Sequence, residues 1–304
     1  MTAVIECSGL TKFYGKNRGI SDLTLSVDKG ETFGFLGPNG AGKTTTIRCL
    51  LGMLKASSGE ARVLGERVTL DGAKLRKRIG YVAGEVHLYD RETGQWHLDY
   101  VAGFRGGKRL LEKELIERFE YDPSRKVKEL SKGNKQKLAL IIGMAHDPGL
   151  LVLDEPTSGL DPLNQQTVFE VVEERVRAGA TVFLSSHILT EVERLCERVA
   201  IVREGTLVAE ESVAGLLSRR MRDVEVTFGE EVPLSLLSEI PGVKTAEQPS
   251  PTMLRATIKG GDMNALLAAL ASHPVRDLQI THASLEDVFM EFYRDGEPEG
   301  GEQS

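Results

Sequence analysis

Residues 130–161 read LSKGNKQKLALIIGMAHDPGLLVLDEPTSGLD, and this run restricts the fold more than any other part of the chain. A polar, glycine-containing turn leads into a helical stretch, and then into an apolar strand ending in two adjacent carboxylates, Asp154 and Glu155. Ligands of open α/β sheets collect outside the carboxyl ends of strands, so a strand that delivers carboxylates there points to a site. Far upstream, Gly37–Thr45 reads GPNGAGKTT and fits G-x-x-x-x-G-K-[ST]. It lies between an apolar strand, Thr32–Leu36, and a helix with Ile47, Leu50 and Leu51 on one face, which is the setting the motif needs. Gly37, Gly40 and Gly42 let backbone N–H groups converge on phosphate oxygens, and the helix N-terminus adds partial positive charge. Pro38, Asn39, Ala41 and Thr45 complete the phosphate loop. Lys43 is expected at the β- and γ-phosphates, and the Thr44 hydroxyl on Mg2+. Asp154 then suits the same Mg2+ through water, and Glu155 is the candidate general base for an attacking water.

The pattern around these motifs predicts an α/β fold. Residues 2–36 alternate apolar and polar with a turn at Asp28-Lys29-Gly30, which reads as short strands leading into Thr32–Leu36. Residues 85–147 lack strand signals. The spacing of Leu110, Leu111, Leu115 and Phe119 is helical, and Leu138–Ala145 reads as a buried helix, so this span is expected to be a helical insertion. Strands resume at Leu150–Leu153 and Thr181–Leu184 around a helix through Gln165–Ala178, which implies a parallel sheet. Val199–Arg203 and Thr206–Ala209 flank Glu204-Gly205 as a hairpin. Residues 1–218 form the expected first domain. A second, 222–294, reads strand (Val224–Phe228), helix (Leu234–Ile240), strand, strand (Met253–Ile258), helix (Met263–Ser272), strand (Val275–Thr281) and helix (Leu285–Phe292). That order suits a small α+β, ferredoxin-like accessory domain. The acidic, glycine-rich tail 295–304 is expected to be disordered.

Three further segments carry a resemblance. Ser131-Lys132-Gly133-Asn134 within LSKGN corresponds to the signature LSGGQ, with Lys132 for one glycine and Asn134 for the glutamine. Ser158-Gly159-Leu160-Asp161 and Ser185-Ser186-His187 follow at their own strand ends. Together with GPNGAGKTT and the Asp154-Glu155 strand, they make roughly the first two-thirds of the chain resemble the nucleotide-binding subunit of ABC transporters. The fold class so implied is a P-loop ABC ATPase domain, a mixed sheet with an antiparallel β subdomain and a helical insertion, followed by the accessory domain. The resemblance implies that Ser131 and Gly133 meet the γ-phosphate held by a facing subunit, so that two copies, or one with a similar partner, sandwich ATP. It implies that Asp161 lies in the loop crossing that seam, and that His187 contacts the γ-phosphate and steadies the water of Glu155. Ser131 is equally suited to cap its helix, and both roles are compatible. Tyr14 matches the aromatic that stacks on adenine, while beside Phe13 the same ring also fits core packing. One position departs: where the family carries a glutamine after a strand, this chain has Gly84. Glu85 or a water is expected to supply the missing oxygen there, since Mg2+ takes hard oxygen ligands and retained waters.

The function implied is ATP hydrolysis powering a separate membrane permease. The end of the second domain, His282–Phe289, resembles subunits paired with ABC-2 permeases, among which drug or antibiotic export is common. Lipid, polysaccharide and haem-related cargo remain alternatives, as does a soluble ABC ATPase acting on ribosomes or DNA. The formal net charge of −7 gives no basic field for nucleic acid. The local clusters Arg105–Arg109 and Arg219, Arg220 and Arg222 read as solvated surface, or as contacts to a partner or lipid headgroups. Cys7, Cys49 and Cys196 are far apart with no CxxC pair, which suggests reduced thiols in the cytoplasm. Cys49, on the helix after the phosphate loop, is open to packing or to oxidation. No apolar run approaches the ~20 residues that span a bilayer, and the first ten residues lack a signal-peptide layout. The expected location is the cytoplasmic face of the cell membrane, with membrane contact only through the permease.

Overall fold

In the computed structural model, residues 3–218, 221–259 and 263–282 are described. Two strands open the chain, β1 (Ala3–Tyr14) and β2 (Asn17–Asp28). Each is 12 residues long where short strands were expected, because register shifts such as that between Cys7 and Leu10 reset the alternation without ending the pairing. β3 (Thr32–Leu36) is buried along its whole length, as a central parallel strand must be. There follow α1 (Lys43–Leu50), β4 (Ser58–Val63), β5 (Glu66–Arg67), α2 (Ala73–Arg76) and β6 (Ile79–Val82). The expected insertion holds α3 (Gly94–Phe104), α4 (Glu112–Arg118) and α5 (Lys132–Met144). The core then resumes with β7 (Leu150–Asp154), α6 (Pro162–Arg177), β8 (Thr181–Ser186), α7 (Leu189–Leu195), β9 (Arg198–Arg203) and β10 (Thr206–Ser212).

Two sheets result. One has the order β10-β9-β3-β8-β7-β6, with β9-β3, β3-β8, β8-β7 and β7-β6 parallel. The other, β2-β1-β4-β5, is antiparallel. A single core joins them through α1, whose Ile47, Cys49 and Leu50 are buried with Ile5, Leu23 and Val27 from one sheet and Phe33, Val152 and Phe183 from the other. Phe183 stacks on Phe33 at 5.9 Å and lies 5.3 Å from Phe35, so the rings pin β8 to β3 beneath the phosphate loop. Cys7 and Cys49 belong to this packing, and Cys196 is buried as well. Burial pushes the Cys7 and Cys49 thiols up to about 11 and raises that of Cys196 as well, which together with the burial of Cys49 in this core fits a packing role.

The chain divides into two compact units, Met1–Glu211 and Ser212–Ser304. Within the second lie α8 (Val213–Ser218), β11 (Met221–Phe228), α9 (Ser235–Ser238), β12 (Val243–Ser250), β13 (Met253–Lys259), α10 (Met263–Leu270) and β14 (Val275–His282). Its sheet runs β12-β13-β11-β14 with every neighbouring pair antiparallel. From β11 onward this is the βαββαβ order expected of a ferredoxin-like unit. The core is its own, built on Val226, Phe228, Leu237, Leu254 and Leu266. The expected helix Leu285–Phe292 and the tail 295–304 lie outside the described residues. Among the described residues, no helix is long and apolar enough to cross a membrane.

Candidate active site

The phosphate loop is pressed between neighbouring backbones, and that is why it needs glycine. A Cβ on Gly37 would fall 2.5 Å from the Val202 carbonyl oxygen. Gly42 has φ 101°, and a Cβ there would fall 2.6 Å from the Gly19 oxygen. No side chain caps α1, whose N-cap residue is Gly42. An uncapped helix N-terminus behind a glycine loop is an anion site in waiting. Lys43 is buried, 6% exposed, and its Nζ donates to the carbonyls of Gly37 at 2.7 Å and Pro38 at 3.2 Å. The ammonium is thereby held across the loop.

The end of β7 meets this loop. Asp154 is 1% exposed; its Oδ2 accepts from the Thr44 hydroxyl at 2.8 Å and its Oδ1 from the Ser185 hydroxyl at 2.9 Å. Glu155 takes a left-handed conformation, φ 49°, that ends the strand. Such backbone costs a non-glycine residue about 1–3 kcal/mol, and it collects at functional sites. The turn brings Glu155 Oε1 to 3.4 Å from Lys43 Nζ and 3.1 Å from His187 Nδ1. Asp154 and Thr44 offer hard oxygen donors side by side, a set that fits Mg2+ completed by phosphate and water oxygens. Among the described residues there is no group of three or more His, Cys, Asp or Glu suited to a metal, and Mg2+ beside a nucleotide does not need one.

A cleft of about 310 Å3 opens over the loop, lined by Tyr14, Arg18, Gly19, Pro38, Asn39, Gly40, Gly42, Lys43, Thr44, Thr45 and Glu155. Ala41 is buried beneath it. Tyr14 is 47% exposed and Phe13 42%, so neither is a core residue. The Tyr14 hydroxyl lies 3.4 Å from Thr45 Oγ1, and the Lys12 ammonium sits 5.5 Å from the ring centroid. The Tyr14 ring is thus an available stacking face at the rim.

Ser131, Gly133 and Asp161 are not in that cleft lining. Ser131 caps α5 by accepting from Asn134 N at 3.3 Å. Asp161 caps α6 ahead of Pro162, accepting from Asn164 N at 3.0 Å and from its side-chain Nδ2 at 2.6 Å. The backbone N–H of Asn164 is the main reason its carboxyl is held below the usual range. The two caps are neighbours: a Cβ on Gly133 would stand 3.0 Å from the Gly159 oxygen. Lys132 lies along Gly159, with its ammonium 3.3 Å from the Ser158 hydroxyl.

Gly84 stands beside Asp154, where a Cβ would be 3.5 Å from the carboxyl carbon. Glu85 does not fill that space. Its side chain is 86% exposed, with His87 Nε2 at 3.9 Å, because the chain turns outward after β6 and the carboxylate gains more from water than from the buried Asp154. Sequence reasoning also passed over Arg18 and Gly19, which line the cleft, and Ser185, which holds Asp154. The last was signalled only by a polar residue at the end of an apolar strand.

The family model for ABC transporters matches residues 20–158. The chain is 35% identical to the Nod factor export ATP-binding protein I of Paraburkholderia xenovorans, covering 95% of this chain and 96% of that one. It is 32% identical to the bacitracin transport ATP-binding protein of Bacillus licheniformis, over 97% and 99%. With the daunorubicin/doxorubicin resistance ATP-binding protein of Streptomyces peucetius, the identity is 35% over 95% and 92%. Among solved structures, an ATP-binding subunit of an ABC transporter is 30% identical with TM-score 0.65, over 70% of this chain and 91% of that one. A dimeric ATP-binding cassette with bound ADP and phosphate shares the fold at TM-score 0.63 and 21% identity, over 69% and 98%.

Proposed function

The chain belongs to the ABC transporter family as an ATP-binding, ATP-hydrolysing subunit, and from that premise we propose that its cleft works with a second subunit to drive an exporter of apolar compounds. The observation that carries the reading is the convergence of Lys43 and His187 on one oxygen of Glu155 at the mouth of the phosphate loop.

In this reading, ATP enters with adenine on Tyr14 and its phosphates in the loop Gly37–Thr45. Lys43 exchanges its contact with Glu155 for the β- and γ-phosphates, which frees Oε1. Thr44 and Asp154 would hold Mg2+, which when bound neutralises charge on the phosphates. Glu155 takes a proton from water as the water oxygen attacks the γ-phosphorus. The bond from that phosphorus to the β–γ bridging oxygen breaks, and its electrons leave with ADP. His187 keeps the Glu155 carboxylate turned toward that water. Ser131 and Asp161, exposed on the protomer surface, and the half-buried Gly133 close on the γ-phosphate of a facing subunit in a homodimer or heterodimer. Nucleotide binds the closed pair better than the open one, and this difference is what moves the equilibrium.

The helical insertion passes the movement to the permease, for which an ABC-2 type chain is proposed. Supporting that route, α3 carries a ladder of rings, Trp96, Tyr100 and Phe104, with the last two 44% and 57% exposed. Exposed aromatic surface of this kind is the composition of an interface. Relatives named for bacitracin and daunorubicin/doxorubicin favour drug or antibiotic cargo. The test is copurification with the membrane protein encoded by a neighbouring gene, followed by reconstitution in vesicles: cargo is expected to raise ATP hydrolysis and to be moved at the expense of ATP. Hydrolysis indifferent to every apolar compound tried, alongside stimulation by lipid or polysaccharide, would redirect the cargo assignment.

A further inference from the structure

One buried carboxylate has no place in the chemistry above. Glu191, in α7, is 3% exposed, and among the described residues it forms no ion pair. Its Oε1 accepts from the Thr157 hydroxyl, and its Oε2 from the Ser186 hydroxyl at 2.6 Å. Those partners are themselves 2% and 1% exposed. Ser186 Oγ also accepts from Ile188 N at 2.9 Å, and of the two acceptors in reach of its single proton the carboxylate at 2.6 Å is nearer than the Ile188 carbonyl at 3.4 Å. A carboxyl group so buried, with two hydroxyls as its partners, costs more to bury than an apolar side chain packed in the same place. Its retention calls for a purpose in the positions it joins. Thr157 stands two residues after Glu155, and Ser186 directly precedes His187. One carboxylate therefore grips both chain segments whose side chains meet at 3.1 Å in the Glu155–His187 contact.

We propose that Glu191 is a positioning residue for hydrolysis, a buried clasp that sets the separation of Glu155 and His187 without touching nucleotide. The inference rests on the roles given above to those two side chains. Strain at Glu155, φ 49°, makes such a clasp necessary, since an unsupported left-handed residue relaxes to ordinary backbone. Misplacing a reacting group by about 1 Å from outside the chemistry can cost on the order of 100-fold in rate. Nucleotide affinity, set by the phosphate loop and Tyr14, is independent of the clasp.

Steady-state ATP hydrolysis and nucleotide binding by the full chain test this. Glu191→Ala is expected to lower kcat by about 10- to 100-fold with the KM for ATP nearly unchanged. Glu191→Gln, which keeps the shape and one acceptor, recovers part of the loss. Thr157→Val, which removes one donor at constant volume, gives a smaller fall of the same kind and stands in if Glu191→Ala does not fold. Val192→Ala, a packing control on the same helix, is expected to lower Tm and leave kcat alone. Wild-type kcat in Glu191→Ala, or an equal kcat loss in a Val192→Ala protein of matched Tm, would overturn the clasp. His187→Ala separates the two layers. If it hydrolyses ATP normally, the site reading and the clasp fall together. If it is slow while Glu191→Ala is not, only the clasp falls.

Discussion

At the phosphate loop, Lys43 and Asp154 are enclosed and already bonded within the chain, to two carbonyls and two hydroxyls respectively. Around Ser131 and Asp161 the same chain spends its side chains on helix caps at the surface, and Lys132 reaches from one cap to Ser158 near the other. The first region is preorganised, with donors and acceptors fixed before any ligand arrives. The second presents its capped helix ends at the surface. In the reading proposed above, the enclosed half of the site holds the ligand and the open half is completed by a second surface.

The hardest test of that division is Glu155→Gln. Removing the base from the enclosed half is expected to lower hydrolysis by roughly 10²- to 10⁴-fold while ATP still binds. Unspent ATP then holds two protomers together, which light scattering registers as a doubled mass. A variant that stays monomeric in saturating ATP and Mg2+ would break the comparison.

Mixing sharpens it. Lys43→Ala and Ser131→Arg proteins should each be inactive alone, yet regain measurable hydrolysis when combined, because one of the two sites in a mixed dimer then unites an intact loop with an intact Ser131. Persistent inactivity would assign both halves to the same chain.

The smallest effect concerns α5, the helix that presents Ser131. Just past its other end, His146 is held down to about 4, first by burial and then by the nearby Arg105, whose guanidinium donates to Nδ1 at 2.8 Å. An imidazole depressed in the fold is protonated more readily when unfolded. Its stabilising effect is therefore complete above about pH 6.5 and is lost as the pH falls toward 4, by at most ~1.4 kcal/mol per unit. Melting curves from pH 7 to 5 should show a slope that His146→Gln flattens.

What could be read from residues alone divides along the same line. GPNGAGKTT and the Asp154-Glu155 strand are contiguous, and each carries its flanking strand or helix with it, so local pattern was enough. The βαββαβ order of the second unit was legible for the same reason, each element having its own period. Ser185, which lies 31 residues from Asp154, and Glu191, which lies 34 from Thr157, were not. Their partners are chosen by the register of neighbouring parallel strands, which no local window contains. The length of β1 and β2 was missed because bulges interrupt the alternation while the pairing continues. Of the two oxygen sources expected beside Gly84, Glu85 or a water, the Glu85 side chain is 86% exposed, and proximity in sequence says nothing of which way a side chain leaves a turn.

The buried cysteines have a practical consequence. With Cys7 and Cys49 thiols pushed up to about 11 and Cys196 higher still, thiolate is scarce at neutral pH and maleimides find no native target. A single Leu163→Cys substitution, at a side chain 82% exposed beside the Asp161 cap, would accept a fluorophore on an otherwise unaltered chain. The opening and closing of paired subunits could then be followed in real time, without first stripping the protein of its own sulfur.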